Sequence, residues 1–312
     1  MSSTVKGEYC RSKLPGHPSQ SLTTVHGKTS LFLGLPFFLA GIPIILIATG
    51  YLPVKPSSVH APLWVIGASG AFFSLAGLTF IRHGMQGIKR QRRLDREKKL
   101  RPQSPWLWDY EWHPLGISTQ KVQEIVQHAA GALGIGVFLT PFNWLAFASD
   151  VGNGFVMGIV GFFDIFLLLA LGKTAYKGIQ LLKYGISRLR FTDFPFFLDG
   201  FLRVNLEGLP NDFNKLQLDL RCIEETYEVH GSGQNRTQVV VCYQRFHEPR
   251  SLQNFLDRPG GRLFLEFELP PEPELATRLA ERPAWFWELE VSGDAPGVDY
   301  HARFLLPVYA QS

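Results

Sequence analysis

Cysteine is scarce. The 312-residue chain holds only Cys10, Cys222 and Cys242. Three is an odd number, and none of the thiols has the paired spacing of a zinc site or a redox couple, so the set suits a reducing compartment. Catalytic signatures are missing as well. There is no G-x-S-x-G, no H-E-x-x-H, no G-x-x-x-x-G-K-[ST] and no clustered set of metal ligands. The nine histidines are scattered, with His83 and His113 beside apolar runs, His230 and His247 bracketing a turn, and His301 near the end. Each reads as a solvated side chain. No enzyme and no cofactor is expected.

Basic charge is also absent from particular places, and that absence carries the topology. The formal charge of +4 comes largely from one block, residues 82–101, RHGMQGIKRQRRLDREKKLR. There Arg82, Lys89, Arg90, Arg92, Arg93, Arg96, Lys98, Lys99 and Arg101 face only Asp95 and Glu97. Apolar runs stand at 31–52 and 63–81 before the block, and at 129–149 and 155–172 after it. The loop inside the first pair holds Lys55 alone, and SDVGNG inside the second pair holds no basic residue. Cationic loops flanking membrane spans stay cytoplasmic. The sequence therefore predicts a multi-pass membrane protein with four spans and both termini in the cytoplasm. The span-flanking position accounts for the charge, so nucleic acid is not an expected partner.

The first apolar run is about 20 residues long, enough for a ~30 Å hydrocarbon core and too long for a cleaved signal. Pro36 and Pro43 lie in it, which spanning helices tolerate. Span two carries Gly67, Ala68, Gly70, Ser74 and Gly77, small residues that permit close helix approach. Ser118 and Thr119 stand where a helix start would be capped, with Val122, Ile125 and Val126 on one face beyond. The predicted division is a disordered cytoplasmic tail (1–29), a transmembrane hairpin (30–82) and a basic, Trp-rich cytoplasmic loop (83–128). A second hairpin (129–173), an amphipathic linker helix (174–190) and a cytoplasmic β-sandwich (191–312) follow.

The linker reading rests on Ile179, Leu182, Ile186 and Leu189 at spacings of three and four. Beyond it the period changes to two: Leu202, Val204, Leu206; Leu216, Leu218, Leu220, Cys222; residues 239–246; Leu263, Leu265, Phe267, Leu269; Trp285, Trp287, Leu289, Val291; Tyr300, Ala302, Phe304, Leu306, Val308. These six stretches, within about seven or eight strands punctuated by Gly, Pro and Asp, predict an immunoglobulin-like or arrestin-like antiparallel sandwich. PPEPELATRLAERP reads as a longer connection with one helical turn. A hairpin turn centred near Gly231–Gly233 would set Cys222 opposite Cys242. Asn235-Arg236-Thr237 matches a glycosylation sequon, discounted because it is expected to face the cytoplasm.

Candidate functional residues are few. Asp164 falls near the middle of span four, where a carboxylate is costly, and Asn143 lies at similar depth on the preceding antiparallel span. The pair reads as an interhelical hydrogen bond or as an ion site. Lys89, Arg90, Arg92, Arg93, Arg96, Lys98 and Lys99 are candidates for contact with anionic lipid headgroups. Trp106, Trp108 and Trp112 form an aromatic segment that reads as an interfacial anchor or a plug against the β-domain, before a ligand cradle. The expected partners are the lipid bilayer, a cytoplasmic protein and a second copy of the chain.

Pro105, Trp106, Leu107, Trp108 and Trp112, together with Pro296, Gly297, Asp299, Tyr300, Phe304, Pro307 and Val308, resemble two motifs of a group of bacterial inner-membrane proteins. Those proteins pair two transmembrane hairpins and a Pro-Trp-Leu-Trp…Trp cytoplasmic segment with a C-terminal sandwich ending in Pro-Gly-x-Asp-Tyr…Phe-x-x-Pro-Val. The resemblance implies the architecture and a bacterial inner membrane, and lends no activity. It also implies a basic residue at position 109, where this chain has aspartate.

Overall fold

The computed structural model describes residues 8–10, 27–54, 61–119, 121–149, 154–209, 215–230, 237–253, 262–281, 283–294 and 297–311. The turn at 231–236, most of the sequon, Pro296, and most of the tail and of both short outer loops lie outside them. The chain divides into a unit of Val25–Gln91 with Val122–Ile179, and a unit of Met1–Thr24, Arg92–Lys121 and Gln180–Ser312.

The first unit is helical. Helices α1 (Gly27–Ala48), α2 (Leu63–Leu100), α3 (Lys121–Asn143) and α4 (Gly154–Tyr184) are each long and apolar enough to cross a membrane. Large apolar side chains stay exposed along them, among them Phe32, Phe155 and Leu168. Such a surface suits hydrocarbon and is unusual in water. The close contact of α1 with α2 is made by glycine. A Cβ on Gly77 would lie 2.3 Å from the Phe38 nitrogen, and one on Gly41 would lie 2.6 Å from the Gly70 carbonyl oxygen. Ser30 adds a hydrogen bond from its hydroxyl to the Phe80 carbonyl (2.9 Å).

Two predicted boundaries are corrected. The basic block is helix, not loop: α2 runs on through it for 38 residues, about 57 Å at 1.5 Å per residue. Lys, Arg, Leu and Glu are good helix formers, no proline intervenes before Pro102, and Lys98 and Lys99 suit the negative helix end. The linker helix at 174–190 is the last part of α4, and it stops at Tyr184 because Gly185 takes a left-handed conformation (φ +63). The Gly185 N–H donates to the Leu181 carbonyl (2.8 Å), closing the helix. Ser118 lies in a strand instead of capping a helix, and α3 begins only at Lys121.

The second unit is built of strands β1 (Glu8–Cys10), β2 (Gly116–Ser118), β3 (Arg188–Phe191), β4 (Phe196–Phe197), β5 (Phe201–Glu207), β6 (Lys215–His230), β7 (Thr237–Gln253), β8 (Arg262–Glu268), β9 (Trp285–Asp294), β10 (Tyr300–Leu306) and β11 (Val308–Tyr309). One antiparallel sheet has the order β1-β7-β6-β9-β10, and another the order β2-β3-β5-β8. β4 and β11 pair in parallel. Alternate residues of both larger sheets enter one core, with Leu202, Val204 and Leu206 meeting Leu218, Leu220, Trp287 and Phe304. The predicted helical turn in the long connection is a short 3-10 helix, Pro273–Leu275.

The tail expectation is also corrected, because residues 8–10 form a strand on β7. The cysteine register is corrected too. β6 and β7 close on His230 opposite Thr237, and a bulge follows between Cys222 and Ile223. Cys222 therefore faces Phe246 and enters the main core, whereas Cys242 faces Glu225 in a separate cluster. An odd slip in register moves a side chain to the other face of the sheet.

Replacing Gly77 with leucine forces the α1–α2 backbones apart and is expected to cost about 1–3 kcal/mol. Gly158→Leu, where an added Cβ meets nothing within 4 Å, is expected to be near neutral. Thermal unfolding of both variants in detergent checks the contrast.

Candidate functional site

The segment after α2 is fastened to the β-sheet unit by a buried acid. Pro102 follows the end of α2, and Pro105–Leu107 form one 3-10 turn that delivers Asp109 inward. Asp109 is only 2 % exposed. Its carboxylate accepts the Leu279 N–H (2.8 Å), the Ala280 N–H and the Tyr309 hydroxyl (3.3 Å). Tyr309 in turn accepts the Trp112 indole N–H (2.8 Å). Burial pushes the Asp109 carboxyl above its ordinary 3.8, against the lowering effect of those donors. Burial and the neighbouring carboxylate also raise the Tyr309 phenol.

The three tryptophans have separate settings. Trp106 meets Phe197 and Tyr309 edge-on, at 5.7 and 6.0 Å. Trp112 lies 4.7 Å from Tyr110, and both pack on a cluster of Ile223, Cys242, Leu279, Ala284, Phe286 and Leu305. Trp108 donates to the Arg101 carbonyl (2.9 Å), and Lys98 sits 5.4 Å from its ring. All three are half-buried against protein. Trp106 and Trp112 both meet Tyr309 of the β-sheet unit, whereas Trp108 packs on the end of α2.

A second polar group lies on the outer face of the five-stranded sheet. Arg221 bridges Glu288, which is fully buried, and Glu290. Glu290 also meets His301 and Arg303. Burial would raise Glu290, but His301, Arg303 and Arg221 outweigh it and hold the carboxyl down at about 2. Among the described residues, no group of three His, Cys, Asp or Glu side chains is placed to hold a metal ion.

In the helical unit the Asn143 side-chain amide donates to Asp164 Oδ1 (3.0 Å), so the predicted polar pair is brought together. The same amide also reaches the Leu139 carbonyl (3.3 Å), one turn before a π-helical stretch, Trp144–Ala148. Of the candidate lipid contacts, Lys89, Arg92, Arg93, Arg96, Lys98 and Lys99 are exposed along α2 and Arg90 is half-buried. Arg93 pairs with Glu111 (2.6 Å).

The sequence reading missed Asp109 as an anchor. The signal was present in its departure from the charge the resemblance implies, and its partners lie up to 200 residues away. No protein-family model matches the chain, and comparison with curated proteins gives no match. Among solved structures the chain is similar to Spo0M, a sporulation control protein from Bacillus subtilis, at 14 % identity and a TM-score of 0.23. The match covers 40 % of this chain and 49 % of Spo0M, about half its length, and so loose a likeness carries no argument.

Asp109→Ala leaves two backbone donors without their acceptor and is expected to cost about 3 kcal/mol. Asp109→Asn turns an amide group toward donors and is expected to cost about 1–2 kcal/mol. Because the folded-state value is raised, the stability the acid contributes is full below pH 3.8 and falls as pH climbs through the raised value. The advantage of wild type over Asp109→Asn should shrink across that window, as read by denaturant unfolding at stepped pH.

Proposed function

We propose that the protein is a membrane-anchored scaffold that catalyses no reaction. Two transmembrane hairpins hold a β-sandwich, of immunoglobulin-like or arrestin-like kind, on the cytoplasmic side for binding a protein partner. The observation that carries this reading is the composition of the β-sheet unit. It gathers β1, the tryptophan segment and the C-terminal strands, and one helix pair separates each stretch from the next. If every helix crosses the bilayer, each pair leaves and returns, so all three stretches share one side. The basic residues make that side cytoplasmic. The resemblance to inner-membrane proteins supports a bacterial inner membrane with both termini inside. In this reading the exposed basic residues of α2 contact anionic headgroups, the apolar helix faces meet the bilayer or a second copy, and nucleic acid is no partner.

A photo-crosslinking residue in the full-length protein tests the scaffold. Phe264, 54 % exposed on β8, is one position; Leu168, 66 % exposed on α4, is the other. Specific protein adducts from position 264 in cells are expected. Adducts from position 168 alone would shift the function to the helices.

A second reading is favoured by the hydrogen bond between Asn143 and Asp164: a small transporter or channel component. A carboxylate at mid-span costs on the order of 3 kcal/mol and asks for a partner or a task. In the scaffold reading the hydrogen bond is that task, so Asp164→Asn and Asp164→Leu should both fold and complement a deletion phenotype. Loss of complementation by folded Asp164→Asn would favour transport.

A further inference from the structure

All three cysteines are thiols, and two of them are juxtaposed in a way the sequence did not suggest. Cys10, the last residue of β1, stands directly opposite Cys242 of β7 in the antiparallel register. Directly opposed residues of an antiparallel pair share a face, with Cα atoms about 4.5 or 5.5 Å apart. Both spacings fall within the range that a disulfide spans. Both residues pack in the same cluster on the outer face of the sheet, with Cys242 buried and Cys10 half-exposed. β1 is only three residues long, and its hold on the 17-residue β7 is the pairing of Glu8, Tyr9 and Cys10 with Gln244, Tyr243 and Cys242.

We propose that Cys10 and Cys242 are a disulfide-forming site that locks the N-terminal strand onto the edge of the sheet. The oxidant is a small soluble disulfide of the glutathione class. The half-exposed Cys10, as thiolate, attacks one sulfur of that disulfide; a mixed disulfide forms and one small thiolate leaves. The Cys242 thiolate then attacks the Cys10 sulfur, forming the protein disulfide and releasing the second small thiolate. The protons of the two protein thiols end on the two released thiols, so one disulfide is reduced for each one made. In the reduced state β1 is held by backbone pairing and by the packing of Cys10, with no covalent link; in the oxidised state it is tethered. Cys222 takes no part, because it faces the main core beside Leu275, to whose carbonyl its thiol donates at 3.4 Å.

The test uses the full-length protein in detergent, equilibrated in buffers of graded reduced-to-oxidised glutathione ratio. After acid quench and denaturation, remaining thiols are counted with a maleimide mass tag, and peptides are mapped. Two of the three thiols should disappear together, with the Cys10 peptide linked to the Cys242 peptide. Cys222→Ser should behave like wild type, and Cys10→Ser should form no internal link. Hydrogen exchange at the amides of 242–244 should slow on oxidation in wild type and not in Cys10→Ser. Glutathione held on Cys10 with Cys242 still a thiol, a link through Cys222, or three thiols retained in fully oxidised buffer would each overturn the proposal. So would a disulfide that leaves exchange at 242–244 unchanged.

Discussion

The β-sheet unit depends on one buried carboxylate. Asp109 accepts three hydrogen bonds from groups of the Leu279–Ala280 turn and of Tyr309, and through them a segment between two long apolar helices becomes part of the domain at the other end of the chain. An apolar residue at 109 could fill the volume but would orphan two backbone donors, and a lysine or arginine would bring donors to donors. Acid is the chemistry the site requires. The tryptophans around it supply area, as Trp106 and Trp112 do against Phe197 and Tyr309, while the carboxylate sets which way the segment lies.

The polar groups of the two units are matched in different ways. In the β-sheet unit, acids are offset by cations or by backbone donors: Arg221 lies between Glu288 and Glu290, and Glu290 also receives His301 and Arg303. In the helical unit Glu124 is met by Lys177, but Asp164, inside an apolar stretch of α4, is met by a neutral amide instead. A neutral partner satisfies a lone pair without adding a second charge to be desolvated.

What was legible in the sequence follows from how local the cause is. The four helices were plain because each apolar run carries its own signal, and strands β5, β6, β8, β9 and β10 were plain because alternation is a property of adjacent residues. The Asn143–Asp164 pair was legible because two antiparallel helices joined by a short loop fix depth by counting. Three features were not. The helical basic block was hidden because charge says where a segment lies and nothing of its conformation. β3 was hidden because Leu189 satisfies both the helical spacing from Ile186 and the alternation of Arg188, Arg190 and Phe191, and only the Gly185 stop separates the two. β1, the cysteine register and the Asp109 contacts arise from residues brought together across most of the chain, which no local pattern encodes.

The distance of 200 residues between Asp109 and Tyr309 is also an interval of time. Translation proceeds at about 5–20 residues per second, so the tryptophan segment leaves the ribosome some ~10–40 seconds before the hydroxyl that completes its seat. For that interval three indole rings and an unsatisfied acid are without the strands that later cover them. The indoles have an affinity for the headgroup zone, and the neighbouring cations of α2 for its phosphates. If the helices cross a bilayer as proposed, its surface is a natural holding place for the segment during synthesis, until the last strands draw it away.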